Sequence, residues 1–278
     1  MPELPETETI ARDLHASLQG RRIEGVEVRR PDVLREVTPE ALSSRVAGRR
    51  IERVWRRAKL VVLDLDSGER IVVQPRFTGA LLLEGGDAGA LDERERRYST
   101  LALRLDDGRR VHYRDIRRLG TVSLMGPERF AAYAGALGPE PLDPTWGVDE
   151  LTGILRSSRQ PVKRVLMDQR RVVGIGNIYA NEALWRAGIL PARPANSIDD
   201  DEAARLHEAI RRVLTESIAL RGTSFRDYRD ASGKRGRFAE RLAAYGRAGE
   251  PCMTCGHPLT GSHDVDGRST VWCARCQR

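Results

Sequence analysis

Apolar residues recur every four positions near the start of the chain, at Ile10, Leu14 and Leu18. This spacing predicts an amphipathic helix that Pro5 and Glu6 begin and Gly20 ends. From Val26 the period changes to two. Val26 and Val28, the run Leu60 to Leu65 and the run Ile71 to Val73 read as strands, the last two joined by a turn at Ser67-Gly68. Leu101, Leu103 and Leu105 alternate with polar residues up to a turn at Asp107-Gly108, from which Val111 and Tyr113 return. Antiparallel pairs with one apolar face predict a β-sandwich over roughly residues 20 to 125. The stretch from Gly85 to Arg97 combines glycine with mixed charge and reads as a mobile loop.

The period returns to that of a helix in the second half. Gly138-Pro139-Glu140-Pro141 and Asp143-Pro144 read as a linker, because proline discourages helix and stiffens the chain. Helical patterns follow over about 149–157, 161–171, 176–187 and 199–221, broken by Gly174-x-Gly176 and by Gly188. No internal repeat or low-complexity tract is present. The expected architecture is α+β and multidomain: an N-terminal sandwich with its helix over 1–135, a helical domain over 145–240, and a small cysteine-bearing module over 241–278.

Composition adds a partner class. The net charge is +7, 31% of the 278 residues are charged, and arginine far outnumbers lysine, which suits bidentate contact with phosphate. A GC-rich genome produces the same bias, so charge alone does not decide. The length allows two domains with a real core, and no run of about 18 apolar residues exists to span a bilayer. A soluble cytoplasmic protein without a signal peptide is expected.

The four cysteines fall as Cys252-x-x-Cys255 and Cys273-x-x-Cys276, seventeen residues apart. Two such knuckles suit four thiolates around one structural Zn²⁺, with Asp266-Gly267 as a turn and Arg268 to Trp272 as the returning strand. Two disulfides are the alternative, disfavoured in a reducing compartment.

The start, Met1-Pro2-Glu3-Leu4-Pro5-Glu6, places proline behind the initiator methionine. Removal of Met1 would expose a secondary amine, nucleophilic in its neutral form and able to give an iminium with an aldehydic sugar carbon, with Glu3 as acid or base beside it. A loose terminus is the plain alternative.

Four segments occur in one order: Pro-Glu-Leu-Pro-Glu at the start, Arg57-Ala58-Lys59 after a strand, Gly174-Ile175-Gly176-Asn177-Ile178-Tyr179-Ala180 between helices, and the cysteine finger. Together they make the chain closely resemble, nearly end to end, the bacterial formamidopyrimidine-DNA glycosylases, relatives of the endonuclease VIII enzymes. Leu4 is similar to the oxidised-purine branch, since the other branch usually has glycine there. The resemblance implies a helix-two-turns-helix element in the helical domain, a zinc finger, and a bifunctional DNA glycosylase and abasic-site lyase for 8-oxoguanine and formamidopyrimidines. It implies a monomer that acts on lesion-bearing or abasic duplex DNA at the bacterial nucleoid. It makes Pro2 the Schiff-base nucleophile, Glu3 the carboxylate that helps open the sugar, Glu6 a supporting carboxylate, and Lys59 the lysine beside the lesion's phosphate. It assigns phosphate contacts to Lys163, Asn177, Arg268 and Tyr245. A solvated lysine, a surface arginine and a structural tyrosine are the ordinary readings of Lys59, Arg268 and Tyr245.

Base eversion requires side chains that fill the gap, and the matching positions carry Phe77, Arg117 and Leu119. Here the chain departs from the family. The usual His-Leu-Gly-Met-Ser-Gly is Gln74-Pro75-Arg76-Phe77-Thr78-Gly79, and Asp-Pro-Arg-Arg-Phe-Gly is Asp115-Ile116-Arg117-Arg118-Leu119-Gly120. A lesion-capping loop spans Thr223 to Phe238, with Arg235 and Arg237 replacing the more usual proline and tyrosine. These changes leave lesion range and opposite-base preference open. An enzyme for oxidised pyrimidines and a non-catalytic damage-binding protein remain alternatives, and Phe77 can also be read as a core residue of the sandwich.

Overall fold

The computed structural model describes residues 2–278 and divides into two compact units. One contains the chain through Gly135 together with Leu220–Ala239, the other Ala136–Ala219 together with Glu240–Arg278. Residues 220–239 therefore pack with the sandwich, not with the helices as the sequence boundaries expected, and residues 241–278 share a unit with the helices. Hydrogen bonds explain the first difference: Thr223 N–H reaches Glu6, and Leu83 N–H reaches the carbonyl of Ala231 at 2.8 Å.

The first unit opens with α1 (Leu4–Leu18), whose Ile10, Leu14 and Leu18 are buried as their spacing requires. It continues with β1 (Ile23–Val28), β2 (Leu34–Arg35), α2 (Pro39–Val46), β3 (Ile51–Arg57), β4 (Leu60–Leu65), β5 (Arg70–Gln74) and β6 (Gly79–Glu84). Then come α3 (Glu93–Arg97), β7 (Ser99–Leu105), β8 (Arg110–Asp115), β9 (Thr121–Met125) and α4 (Pro127–Gly135). One antiparallel sheet has the order β1-β7-β8-β6; the other runs β2-β9-β5-β4-β3 with β2 parallel to β9. Val61, Leu63, Ile71, Leu81, Leu103 and Tyr113 belong to the main core, which also takes in the apolar face of α1. Each such fully buried side chain contributes about 1.5–3 kcal/mol. Leu60, Val62 and Val72 form a second cluster with Met125 and with Phe130 of α4. That cover explains why β4 is apolar on both faces instead of alternating.

The stretch expected to be a mobile loop contains α3. Asp92 caps it, accepting the Glu95 N–H at 2.7 Å, and Glu95 pairs with Arg114 of β8.

The second unit contains α5 (Val148–Arg156), α6 (Val162–Met167), α7 (Asn177–Ala187) and α8 (Asp200–Ala219), then the hairpin β10 (Thr260–Ser262) and β11 (Thr270–Trp272). The α6 helix stops at Met167, short of the predicted 171. The Gln169 amide instead closes the following turn, donating to the carbonyls of Met167 and Ile175 at 2.9 Å each and accepting the Gly174 N–H at 2.9 Å. Val271 and Leu259 of the finger pack with Trp185 of α7, and Val271 N–H donates to Asn181 Oδ1 at 2.7 Å.

Candidate functional site

Glu3 is the N-cap of α1 and is 1% exposed. Its N–H donates to Glu6 Oε2 at 2.8 Å, and its own carboxylate takes the N–H of Glu6 in a reciprocal capping box. Glu6, equally buried, accepts the N–H of Thr223 on Oε1 at 2.7 Å. Buried carboxylates persist where donors meet them. Glu6 is therefore a strut that fixes the main chain of Glu3, and of buried Pro2 beside it, against the chain returning at Thr223. Pro2 directly precedes the buried carboxylate of Glu3 in the chain, and an amine nucleophile works with a proton carrier close by. The expected removal of Met1 lies outside the described residues.

Lys59 follows Ala58 in the turn between β3 and β4, where Ala58 takes the left-handed φ of 53°. Arg56 donates from Nε to Glu8 Oε2 at 2.7 Å and from Nη1 to the Ala58 carbonyl at 3.1 Å. One guanidinium thus ties the lysine's turn to α1. Burial opposes charge on Glu8, but Arg56 and then Arg12 outweigh it and hold its carboxyl below the ordinary range.

Phe77 lies in the turn between β5 and β6 and is 46% exposed; Leu119 lies between β8 and β9 and is 40% exposed. Phe77 is thus a surface residue and not part of the sandwich core. The Arg117 guanidinium stacks over its ring at 5.0 Å. The buried Asp115 holds both turns: Oδ1 accepts Thr78 Oγ1 at 2.5 Å and Arg117 N–H at 3.2 Å, and Oδ2 accepts Gly120 N–H at 2.8 Å. Tyr113 also donates to this carboxylate, and burial followed by the Asp115 charge keeps its phenol protonated. Gly120 has no alternative, since a Cβ there would stand 1.9 Å from the Tyr113 hydroxyl and 2.5 Å from the Gln74 carbonyl. Arg76 and Arg118 in these turns, like Ala58, hold left-handed backbone, as does Arg221 at the start of the capping loop. Strain of about 1–3 kcal/mol at such positions persists only where the surroundings impose it, and it gathers at working sites. The neck of that loop is closed by the N–H groups of Arg237 and Phe238 on the carbonyls of Leu220 and Gly222. The unusual Arg235 donates to the Phe225 carbonyl at 2.8 Å across the loop.

In the second unit, Asn177 begins α7 and its Nδ2 donates to the Ser269 carbonyl at 3.0 Å, beside the exposed Arg268. Lys163, expected on the sequence to meet phosphate, faces the finger's turn. It is fully buried, with Nζ bonded to Thr270 Oγ1 at 2.7 Å, Asp266 Oδ1 at 3.2 Å and the Ser269 carbonyl at 3.3 Å. Burial lowers its pKa against the pull of Asp266. These bonds tie α6 to the finger's turn. Tyr245 is half-buried, and its N–H, with those of Ala243 and Ala244, donates to Glu182. Sequence reasoning missed Glu182 and Asp115. Each is an acid in a segment patterned as a buried element, Asp115 at the end of the strand that returns through Val111 and Tyr113 and Glu182 in the helix after Gly176, and that was the available signal.

The four cysteine Sγ atoms lie within 4.8 Å of one another, Cys255 to Cys273 at 3.5 Å and Cys252 to Cys276 at 4.0 Å. A tetrahedron of thiolates on zinc places sulfurs about 3.8 Å apart, whereas a disulfide bond measures about 2.05 Å. The cluster fits one metal ion. Burial opposes ionisation of Cys252, yet the N–H groups of Thr254 and Cys255 bring its thiol down to about 6, while Cys255, burial and the other thiols push Cys276 up to about 12. Four sulfurs so close cannot all ionise without a cation between them.

Residues 1–122 match the family model of the formamidopyrimidine-DNA glycosylase N-terminal domain, and residues 137–229 that of its H2TH domain. The chain is 41% identical to a formamidopyrimidine-DNA glycosylase of Heliobacterium modesticaldum, over all of both chains, and 44% identical to one of Chloroflexus aggregans, over 100% of this chain and 98% of the relative. Its fold is similar to the MutM (Fpg) protein of Thermus thermophilus (TM-score 0.86, 38% identity, 99% and 98% covered). It is also similar to the Lactococcus lactis Fpg in complex with abasic-site DNA (TM-score 0.89, 30% identity, 99% of both chains). No described helix is long and apolar enough to cross a membrane.

Proposed function

Because the chain belongs to the formamidopyrimidine-DNA glycosylase family, a family of DNA-repair glycosylases with abasic-site lyase activity, we propose that it excises 8-oxoguanine and formamidopyrimidines from duplex DNA through Pro2. The nitrogen of Pro2, freed of Met1, attacks C1′; the bond from C1′ to the damaged base breaks, and the base departs with a proton. Glu3 protonates the ring oxygen as the sugar opens, leaving an iminium between Pro2 and C1′. That electron sink acidifies the C2′ hydrogens, so β-elimination expels the 3′ phosphate and δ-elimination the 5′ phosphate. A one-nucleotide gap remains and water releases the protein.

Lys59 and Arg268 steady the phosphates flanking the lesion, Asn177 and Tyr245 hold backbone further along, and phosphate contacts of this kind fix register without reading sequence. Phe77, Arg117 and Leu119 occupy the space of the everted nucleotide, Arg117 offering its fork to the orphaned base. Cys252, Cys255, Cys273 and Cys276 hold one Zn²⁺, which closes the finger and has no place in the chemistry.

The observation that supports this reading is the buried strut from Glu3 through Glu6 to Thr223, which fixes the main chain directly after Pro2. Borohydride should trap the processed protein covalently on lesion DNA, whereas protein that retains Met1 or an N-terminal tag should not be trapped. Efficient trapping of the tagged form would sink the assignment.

A further inference from the structure

Arg114 is a fully inward guanidinium, 1% exposed, on the last turn-ward stretch of β8. Its Nε pairs with Glu95 of α3. Its Nη1 donates to the carbonyl of Thr78 at 2.6 Å, and its Nη2 to the carbonyl of Asp227 at 2.7 Å. The first carbonyl belongs to the turn that presents Phe77, and the second to the capping loop. Thr78 in turn gives its hydroxyl to Asp115 and accepts the Arg117 N–H at 2.9 Å, so the same guanidinium stands one bond away from both exposed turns. Arg94 reinforces the loop end, pairing with the Asp227 carboxylate at 3.2 Å.

A buried arginine needs its donors met, and here they are met by three segments that are otherwise far apart in the chain. Only a planar fork holds three acceptors in fixed directions at once; an ammonium on a flexible stem does not. We propose that Arg114 is a positioning residue that sets the spacing between the Phe77 turn and the capping loop, so that displacement of a damaged base from the stack and its reception under the loop occur in one registered geometry. Arg114 touches no reacting atom and acts through Thr78 and Asp227. The inference rests on the reading of Phe77 as the residue that replaces an everted base.

The test uses full-length protein and Arg114→Lys, which keeps the charge opposite Glu95 but loses the fork. Excision of 8-oxoguanine in single-turnover conditions should slow by about 10- to 100-fold, the usual cost of a misplacement near 1 Å. Cleavage of a ready-made abasic duplex should stay within about threefold, because no base has to be displaced or received. Amide hydrogen exchange should quicken together in residues 76–80 and 224–231. Adding Phe77→Ala to Arg114→Lys should slow excision little further, since the turn is already out of register. If Arg114→Lys does not fold, the pair Arg114→Gln with Glu95→Gln removes both buried charges and is read in the same way. Equal losses on the two substrates, or unchanged exchange in either segment, overturn the proposal. A Phe77→Ala protein that excises at the native rate overturns the reading beneath it instead, whatever Arg114 does.

Discussion

The start of α1 and the two turns that carry Phe77 and Arg117 solve opposite problems. Glu3 and Glu6 are buried, and hydrogen bonds to Glu3, Glu6 and Thr223 main-chain groups leave their carboxylates little freedom. Phe77 and Leu119 are exposed, and Phe77 is met chiefly by the stacked Arg117, while Asp115 fixes the backbone beneath them. In the proposed mechanism the groups that make and break bonds are thus the ones held by buried hydrogen bonds, as reacting geometry demands. The groups proposed to probe DNA are exposed on a fixed base, where they could enter a gap in the complex.

The sharpest way to break this contrast is Glu3→Gln. Loss of its proton transfer should cost about 10²–10⁴ in single-turnover excision, with DNA affinity nearly unchanged in a gel-shift titration because the phosphate contacts survive. A fully active mutant would reject the role. The finger's four cysteines suit a third kind of support, by a metal ion. Elemental analysis should find about one zinc per chain, and Cys273→Ser should release it and weaken binding to every duplex, lesion-bearing or not, since folding of such a module depends on its ion. Active protein without zinc would overturn this.

On the exposed side, Phe77→Ala should slow excision by about tenfold and leave abasic cleavage nearly intact, as expected of a residue used only in eversion. Arg117→Ala should flatten the preference for cytosine opposite the lesion, worth about 1–3 kcal/mol for a bidentate contact. Arg268→Ala should instead weaken all opposite bases alike. Rates measured with each base opposite the lesion separate the two. The smallest effect belongs to Glu8. Its carboxyl lies below its ordinary 4.5 in the fold, so its pairing with Arg56 contributes fully above that value and is lost as pH falls through the lower folded one. The stability difference between native protein and Glu8→Gln should be under about 1 kcal/mol at neutral pH and vanish in strong acid. A difference that persists there would show that the pair is not its source.

What could be read in the sequence was local. The spacing of Ile10, Leu14 and Leu18, the hairpin turns at Ser67-Gly68 and Asp107-Gly108, and the paired knuckles each encode their structure within a few residues. The contacts that place the candidate residues within each unit are not local: in the first, Glu6 to Thr223 spans 217 residues and Arg114 to Asp227 spans 113; in the second, Lys163 to Asp266 spans 103. Nothing in the neighbourhood of Lys163 distinguishes a lysine bound for phosphate from one bound for an aspartate inside the fold. The stretch from Gly85 to Arg97 misled for the same reason, because the partner that orders Glu95 stands on another strand.

The capping loop is gripped through main-chain atoms at three points, the N–H of Thr223 by Glu6, the carbonyl of Asp227 by Arg114 and the carbonyl of Ala231 by Leu83, and the buried side chains of Tyr228, Asp230 and Phe238 anchor it as well. Every residue type offers a carbonyl, and every one but proline an N–H. The exposed side chains between those grips, such as Phe225 and Arg226, can therefore be exchanged while the handles stay in place, and the closed neck at 220–238 admits insertions at a cost of only about 0.6 kcal/mol per doubling of length. The exposed positions of such a loop behave as an interchangeable cartridge on a fixed mount, open to change by a lineage or an engineer without disturbing the buried contacts of Glu6.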